Sequence, residues 1–319
     1  MPAFCPARAF SPVPNYLEDL TLRLAGGLAR LPEEVRARNA AYFRAAQRPD
    51  GGFGGRDGGS DLYYTGFALR GLALCGELQG DVAEQSANYL KSKLAANLPI
   101  VDFLSLMYGA ALLNLSAGID LFANQPSGWQ ENVARRLEQF RRADGGYAKT
   151  EEGESSSTYH TFLVVICQQL LGQPTPQPER IVEFVRSRHR EEGGFVEIGP
   201  MRRGGTNPTA AAIALLRIFD GLDEPLREET VEFLAEMQND EGGLLANTRI
   251  PIADLLSTFT GLMTLFDLGS ADAIQLPPAR RFVESLAQPS GGFFAAAWDT
   301  AADVEYTFYG LGCLALLAE

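Results

Sequence analysis

The sequence predicts an all-α fold, an α/α toroid, in which an outer ring of helices surrounds an inner ring. Three observations predict it: a glycine doublet recurs, an amphipathic segment precedes each doublet, and an apolar segment follows it. The doublets, each followed by an aromatic or aliphatic residue, start at Gly51, Gly145, Gly193, Gly242 and Gly291. The last four start 48, 49 and 49 residues apart, whereas the first gap is 94 residues, close to two periods. One doublet has therefore been lost near Leu98, and six units fill the chain from about residue 36 to its end.

The unit that contains Gly242 shows the helix pair most clearly. Its first segment, 228–237, places Val231, Leu234 and Met237 at helical spacing between glutamates, as in an amphipathic helix. Its second segment, 255–266, contains no charged residue, which indicates a helix buried on most sides. Equivalent inner helices are predicted at 63–74, 103–115, 159–171, 209–219 and 304–317.

Apolar inner helices favour a closed ring over an open superhelix, because an open array would expose one side of each inner helix to water. We assign 36–319 to a single toroid domain and 1–35 to an N-terminal arm and leading helix. The arm, 1–15, is rich in proline and small residues and has no continuous apolar segment. It is therefore expected to lie over the toroid rather than to act as a signal peptide. No series of strands is predicted.

Composition excludes several classes of protein. The net charge of −13 makes nucleic-acid binding unfavourable, since an acidic surface repels phosphate groups. The sequence shows no run of 18 apolar residues, so no membrane span is expected. The four cysteines lie far apart, which indicates buried thiols in a reducing compartment, and we expect a cytoplasmic protein. With only two histidines, a histidine-based metal site has few ligands to draw on.

The repeat also has a recognisable motif: an acidic residue and the doublet, then an inner helix that opens with aspartate and an aromatic residue. The best matches are the segments 50–55, 144–147 and 303–311. With these motifs the chain resembles the prenyltransferase and squalene-cyclase repeat family over most of its length. Its size and its number of repeats are similar to those of the β subunits of protein prenyltransferases, of the farnesyl, geranylgeranyl and Rab types.

The resemblance implies a catalytic zinc site, which this chain lacks in part. In the family, an aspartate and a cysteine two residues later hold the metal at the start of one inner helix, and a histidine in the last inner helix completes the site. Zinc then stabilises the thiolate of the acceptor cysteine. Four inner helices are expected to start 11 residues after the second glycine, at Ser157, Gly205, Asp254 and Asp303.

This spacing places the family's ligand positions at Asp254, Leu256 and Tyr306. The thiolate and the imidazole are missing, so we expect no zinc, and prenyl transfer becomes doubtful. Asp254, Asp303 and Glu305 remain the candidate catalytic carboxylates. An alternative for Asp61, Asp254 and Asp303 is a role as helix N-caps, each worth about 1 kcal/mol.

The resemblance further implies a basic pocket for a diphosphate. The family's histidine position falls here on Gly205, and the candidates to replace it are Arg202, Arg203, Arg249 and His160. A cluster of arginines can bind a diphosphate, but solvated loop arginines are the alternative.

Aromatic side chains on the inner helices suit an isoprenoid chain, and about half should face the central axis by helical periodicity. The candidates for contact with the ligand are Tyr63, Tyr64, Tyr159, Phe259, Tyr306 and Tyr309. Further aromatic or apolar candidates on these helices are Phe67, Phe103, Met107, Tyr108, Phe162 and Phe308.

Three functions remain open from the sequence. The first is a prenyltransferase-like protein that binds an isoprenoid diphosphate, and the second is a non-catalytic toroid that binds a lipid or serves in assembly. The third, a class II terpene cyclase, lacks the D-x-D-D motif that protonates an alkene. The resemblance also implies a partner, either a helical subunit like the family's α subunit or a second copy of this chain.

Overall fold

A computed structural model describes residues 16–318, so the predicted arm, 1–15, and Glu319 lie outside the described residues. The described helices are α1 (Tyr16–Leu28), α2 (Glu33–Ala45), α3 (Leu62–Leu74), α4 (Asp81–Lys93), α5 (Ile100–Ala117), α6 (Trp129–Leu137), α7 (Thr158–Leu170), α8 (Pro178–Arg186), α9 (Thr206–Ile218), α10 (Glu224–Glu236), α11 (Leu255–Asp267), α12 (Leu276–Ser285) and α13 (Val304–Leu316). Short 3-10 turns occur at Glu138–Phe140 and Ala271–Ala273, and strands β1 (Tyr147–Ala148) and β2 (Ser156–Ser157) pair antiparallel.

The helices form the predicted closed toroid of two layers. The inner ring consists of α3, α5, α7, α9, α11 and α13; each packs against the next, and α13 packs against α3. The outer layer consists of α2, α4, α6, α8, α10 and α12. The first outer helix begins at Glu33, three residues before the expected start of the repeats. An open superhelix is excluded, because the last inner helix contacts the first.

Each glycine doublet joins its own unit to the outer helix of the next unit. Gly193, for example, has a φ of +88°, and a Cβ there would overlap the carbonyl group of Glu229 on α10. A Cβ on the second glycine, Gly194, would overlap the ring of Phe233 on the same helix. The doublet thus supplies a left-handed turn and a close approach that residues with a side chain cannot supply.

The same contact closes the ring. In the last unit, the doublet at Gly291 packs against the carbonyl group of Arg38 on α2, the outer helix of the first unit. The residue after each doublet is fully buried, and its N–H donates to a threonine in the second turn of the inner helix. These threonines are Thr65, Thr161, Thr209, Thr258 and Thr307.

The second unit departs from this pattern, as its missing doublet predicted. Its inner helix, α5, follows Pro99 directly and is longer than the others, with 18 residues. Within the described chain, α5 is the one helix long and apolar enough to cross a membrane by length and composition, although Asp102, Ser105 and Asn114 interrupt its apolar residues. Half of the helix is buried, and it packs between α3 and α7, so its apolar composition is that of an inner-ring helix.

The leading helix α1 covers one end of the ring. The N–H of its first residue, Tyr16, donates a hydrogen bond to Gln169 Oε1 in the last turn of α7 (3.2 Å). Arg23 on α1 and Arg217 on α9 both pair with Asp267 at the end of α11, at 2.7 and 2.8 Å. Because all three inner helices end here, α1 lies across the C-terminal ends of the inner ring.

Substitution of Gly193 by alanine should lower the free energy of unfolding by about 2–4 kcal/mol, since it combines a left-handed backbone with an overlap against α10. Gly172→Ala is the matched control: its φ is +66°, but no atom lies within 4 Å of a Cβ there. The control should lose only about 1–2 kcal/mol. Chemical denaturation of both variants measures the difference, and equal losses would show that the contact between units contributes nothing.

Candidate functional site

A cavity of about 410 Å³ lies inside the inner ring. We call its two ends the floor, where Leu17, Leu20 and Leu24 of α1 line it, and the mouth, at the N-termini of the inner helices. At the mouth the cavity is lined by Tyr159, whose side chain is 39% exposed, and by Leu256. Its volume falls in the range of small-molecule sites, about 300–1,000 Å³.

Most of the predicted aromatic side chains line this cavity. They are Tyr63, Phe67, Tyr108, Tyr159, Phe162, Phe259, Phe308 and Tyr309. Phe67 of α3 and Phe259 of α11 both contact the ring of Phe308 on α13, with centroids 5.5 and 5.7 Å apart, so three helices share one aromatic cluster. Phe103 and Met107 instead line a second cavity beside α6, of about 300 Å³, and Tyr64 and Tyr306 lie outside both linings.

Glu305 is a buried carboxyl group at the mouth. Tyr63 Oη donates a hydrogen bond to its Oε1 at 2.6 Å. Burial raises the pKa of Glu305, and the nearby Asp303 carboxylate adds to the rise, while the hydroxyls of Tyr63 and Tyr309 oppose it. The protonated form is therefore favoured at higher pH than for an ordinary glutamate.

Asp303 lies two residues away in a different environment. It caps α13 by accepting from the N–H of Tyr306 at 2.9 Å, and it pairs with Arg56 Nε at 3.0 Å. The same arginine binds Asp299, with Nη1 2.8 Å from Oδ1. Burial raises the pKa of Asp303; for Asp299 the hydrogen bonds from Arg56 and the N–H of Ala295 outweigh burial and lower the pKa. Arg56 therefore pairs with both aspartates and connects the turn before α3 to the turn before α13.

Asp254 caps α11, where it accepts from the N–H of Ser257 at 2.7 Å and from its hydroxyl at 2.9 Å. Burial raises the pKa of Asp254, and these hydrogen bonds oppose the shift. Asp61 likewise accepts from the N–H of Tyr64 at 2.8 Å. The cap interpretation is thus confirmed for Asp61, Asp254 and Asp303, and the four predicted inner-helix starts are the observed N-cap residues.

The residues at the family's zinc positions do not offer the ligands that zinc prefers. Asp254 lies close enough to Tyr306 that its charge contributes, after burial and Glu305, to raising the pKa of that phenol to about 12. Leu256 lines the cavity mouth and offers no donor atom. A carboxylate, an alkyl group and a phenol do not fit zinc, which prefers sulfur and imidazole. Over residues 16–318, no three histidine, cysteine, aspartate or glutamate side chains are grouped to hold a metal ion.

The predicted cations at the mouth are separate from the cavity. Arg202, Arg203 and Arg249 are exposed, and Arg203 Nη1 donates to Thr248 Oγ1 at 3.0 Å, which brings the turns before α9 and α11 together. None of the three lines the cavity. His160 lies in the first turn of α7 with Nδ1 2.9 Å from Ser157 Oγ, and burial, aided by Lys149, lowers its pKa.

One arginine lines the cavity, and it is not among the residues predicted from the sequence. Arg70, in the third turn of α3, places its guanidinium 4.9 Å from the ring centroids of Phe67 and Tyr108 and 6.0 Å from that of Phe308. Its side chain has no hydrogen bond or ion pair with any described residue, and its Nε is buried. The sequence feature that could have identified Arg70 is that it is the single charged residue in an otherwise apolar inner helix.

Neither of the two carboxyl groups near the cavity forms an ion pair with Arg70. Glu305 is bonded to Tyr63, and Glu197 accepts from the Ser157 hydroxyl and from the N–H of Tyr159 at 3.3 Å. Burial raises the pKa of Glu197. The cavity therefore combines aromatic walls, an aliphatic floor, one cation without an ion-pair partner and the carboxyl group of Glu197.

The family model for the prenyltransferase alpha-alpha toroid domain matches residues 23–98 and 209–319. A comparison with curated protein sequences gave no match.

Among solved structures, protein geranylgeranyltransferase-I of Candida albicans, complexed with GGPP, is 16% identical with a TM-score of 0.68, covering 88% of this chain and 91% of that one. A variant of the type II terpene cyclase MstE from Scytonema, in complex with geranylgeranyl dihydroxybenzoate, is 13% identical with a TM-score of 0.61, covering 94% and 99%. An alpha-1,6-mannanase from Salegentibacter is 10% identical with a TM-score of 0.63, covering 90% and 98%. These similarities establish the toroid fold, whereas the function has to be inferred from the side chains in the cavity.

Replacement of Glu305 by glutamine should stabilise the protein increasingly as pH rises. A carboxyl whose pKa is raised on folding contributes stability below its unfolded pKa, and this contribution is lost as pH rises through the folded pKa. The variant and the wild type should therefore be similar near pH 4 and diverge towards neutrality, as measured by urea denaturation across pH.

Asp50→Asn should show the opposite dependence of stability on pH, because the hydrogen bond from the Ser60 hydroxyl lowers the pKa of Asp50. Its loss of stability relative to wild type should be present at neutral pH and shrink on acidification. If the difference in stability between Glu305→Gln and the wild type did not change with pH, the Glu305 carboxyl would ionise like an exposed one.

The alignment of the zinc positions predicts that Leu256→Cys combined with Tyr306→His creates an Asp, Cys and His site with an open fourth position. The double variant should retain one zinc per chain after dialysis, whereas the wild type and either single variant retain far less. The loss of the Leu256 side chain should cost about 1–3 kcal/mol. A folded double variant without zinc, by metal analysis, would show that the three positions do not converge.

Proposed function

Because this chain belongs to the prenyltransferase alpha-alpha toroid family, we propose that its cavity binds an isoprenoid with an anionic head group, of the isoprenoid diphosphate type. Aromatic walls and an aliphatic floor suit a branched unsaturated hydrocarbon. A protein of the same fold, the geranylgeranyltransferase-I of Candida albicans, is complexed with GGPP.

The unpaired guanidinium of Arg70 is the observation that carries this proposal. Three aromatic faces stabilise the cation by about 0.5–2 kcal/mol each, but they leave its N–H donors without acceptors. Arg70 is half-buried, and its Nε is a buried donor without an acceptor, which costs about 1–3 kcal/mol. An anionic head group removes this cost, and a diphosphate or carboxylate can accept two parallel hydrogen bonds from the guanidinium.

The position of Arg70 orients the ligand. Towards the floor the cavity is lined by Leu112, Ile166, Met263 and the leucines of α1, which suit the hydrocarbon tail. The Arg70 charge lowers the pKa of both Tyr159 and Tyr309, although burial raises each pKa overall, so both phenols lie near the guanidinium. Their hydroxyls can donate to the same anion. We therefore place the head group at Arg70 and the tail along the aromatic and aliphatic walls.

The arginines at the mouth, Arg202, Arg203 and Arg249, are the head-binding residues expected from the resemblance. They stay a prediction, and a titration with variants at both places decides between them and Arg70. A helical partner subunit or a second copy also stays a prediction, and the mass of the protein in solution, alone and recovered from cell extract, tests it.

We propose binding without zinc-dependent transfer, because the side chains at Leu256 and Tyr306 supply neither thiolate nor imidazole. Cyclisation is the second candidate, because the buried carboxyl of Glu305 is bonded to Tyr63 of the cavity wall, and a buried acid of this kind could protonate an alkene. Arg70 opposes it: its charge covers the faces of Phe67 and Phe308 that would stabilise a carbocation. Binding without turnover therefore agrees better with the charges in the cavity.

Geranylgeranyl diphosphate should bind the wild-type protein saturably in isothermal titration, and Arg70→Gln should weaken it about 10–100-fold, the value of a charge-assisted hydrogen-bonded pair. Geranylgeraniol, which lacks the charge, should bind both proteins alike. This comparison separates loss of the anion contact from damage to the cavity.

Arg202→Ala with Arg203→Ala is the matched control and should bind the diphosphate as the wild type does. If the control weakens binding and Arg70→Gln does not, the head lies at the mouth instead. Absence of saturable binding at high micromolar ligand contradicts the proposed function as a whole. Incubation with a radiolabelled diphosphate should yield no released or cyclised product.

A further inference from the structure

The turns that precede the inner helices all lie at the mouth end of the toroid. Every unit runs from outer helix through a turn to inner helix, so the inner helices are parallel and begin at the same end. The opposite end is covered by α1. A surface built from these turns therefore surrounds the opening of the cavity.

Large exposed apolar side chains are concentrated on these turns. Seven occur in the described residues, and four of them lie on the turns of the fourth, fifth and sixth units. They are Met201 (44% exposed), Ile250 (45%), Ile252 (43%) and Trp298 (68%). A fifth, Tyr159, lies beside them at the start of α7. The remaining two, Leu22 on α1 and Leu115 in the last turn of α5, lie at the opposite end.

Two segments of these turns, in the fourth and fifth units, are basic in an acidic protein, whereas the third-unit turn carries Glu151, Glu152 and Glu154. The segments 198–204 and 245–252 contain Arg202, Arg203 and Arg249 and no carboxylate, although the chain has 40 acidic and 27 basic residues. Asp299, near Trp298, is 7% exposed and bound to Arg56. We call Met201, Arg202, Arg203, Arg249, Ile250, Ile252 and Trp298 the mouth patch.

We propose that the mouth patch docks the protein on the surface of an anionic lipid bilayer. Its apolar side chains stand on three separate loop tips with arginines between them, an arrangement that suits insertion between lipid head groups. Tryptophan favours this interfacial region, and arginine is attracted to anionic head groups. The acidic surface is repelled by such a bilayer, so the arginines favour contact through the turns of the fourth and fifth units.

Docking in this orientation turns the opening of the cavity towards the lipid. The reason for docking rests on the proposed function, since a lipid ligand then enters the cavity directly from the bilayer. The patch itself rests on exposure and charge alone, so the two can be tested separately.

Vesicles of phosphatidylcholine with and without phosphatidylglycerol provide the test. The full chain should sediment with the anionic vesicles, bind neutral vesicles more weakly, and be released as salt screens the arginines. The chain has two tryptophans, so Trp129→Phe leaves Trp298 as the single reporter. Its emission should shift to shorter wavelength on binding and be quenched by brominated lipid.

Ile250→Ser combined with Ile252→Ser should reduce vesicle binding at least tenfold. The matched control is Leu22→Ser with Leu115→Ser, which removes two exposed leucines from the opposite end and should bind as wild type does. Both double variants should retain the wild-type circular dichroism spectrum, because all four side chains are exposed. Both should also bind geranylgeranyl diphosphate normally in the absence of vesicles.

Equal losses in the two double variants, or no binding of the wild type to anionic vesicles, would overturn the proposal. Loss of a recovered protein partner in Ile250→Ser/Ile252→Ser, with vesicle binding unchanged, would assign the patch to that partner and also overturn it. Vesicle binding without any binding of the diphosphate would support docking while the proposed ligand fails.

Discussion

The close approach of each glycine doublet to the outer helix of the next unit is the contact on which the architecture depends. It fixes the distance between neighbouring units, since backbone meets backbone at Gly51, Gly145, Gly193, Gly242 and Gly291. The last of these contacts reaches α2 of the first unit and closes the ring. Closure places every inner helix between two others, and the cavity exists only because six such helices enclose it.

Local signals explain why so much of the fold follows from the sequence. The doublets and the N-caps that lie 11 residues after them act within a few residues, so their spacing gives both the period and the helix starts. The position of α1 has no such signal. It depends on Arg23 and Tyr16 meeting Asp267 and Gln169, which lie far away in the chain and converge only in the finished ring. The greater length of α5 likewise has no local signal, because its unit lacks the glycine doublet that marks the helix start in the other units.

For the candidate site, the sequence predicts which types of residue are present but not which contacts they make. Helical periodicity predicts that aromatic side chains line the axis, and eight of the twelve candidates do so. It cannot distinguish Asp303 from Glu305, because their partners, Arg56 and Tyr63, come from the first unit across the seam that closes the ring. One carboxylate is thus held in an ion pair while its neighbour is a buried acid. Arg70 was overlooked because a single charge hardly changes the apolar character of α3.

The sign of the charge inside the ring decides among chemistries that the fold permits equally. The same toroid occurs in a geranylgeranyltransferase, a terpene cyclase and a mannanase, so the helices themselves carry no preference. An aromatic cavity stabilises a cation, and here the protein supplies that cation itself through Arg70. A second positive charge formed on a substrate would meet repulsion instead of empty aromatic faces. A negative group would meet both the guanidinium and nearby phenol hydroxyls. An anionic lipid is therefore the ligand we propose, and this proposal depends on one residue in an otherwise apolar helix.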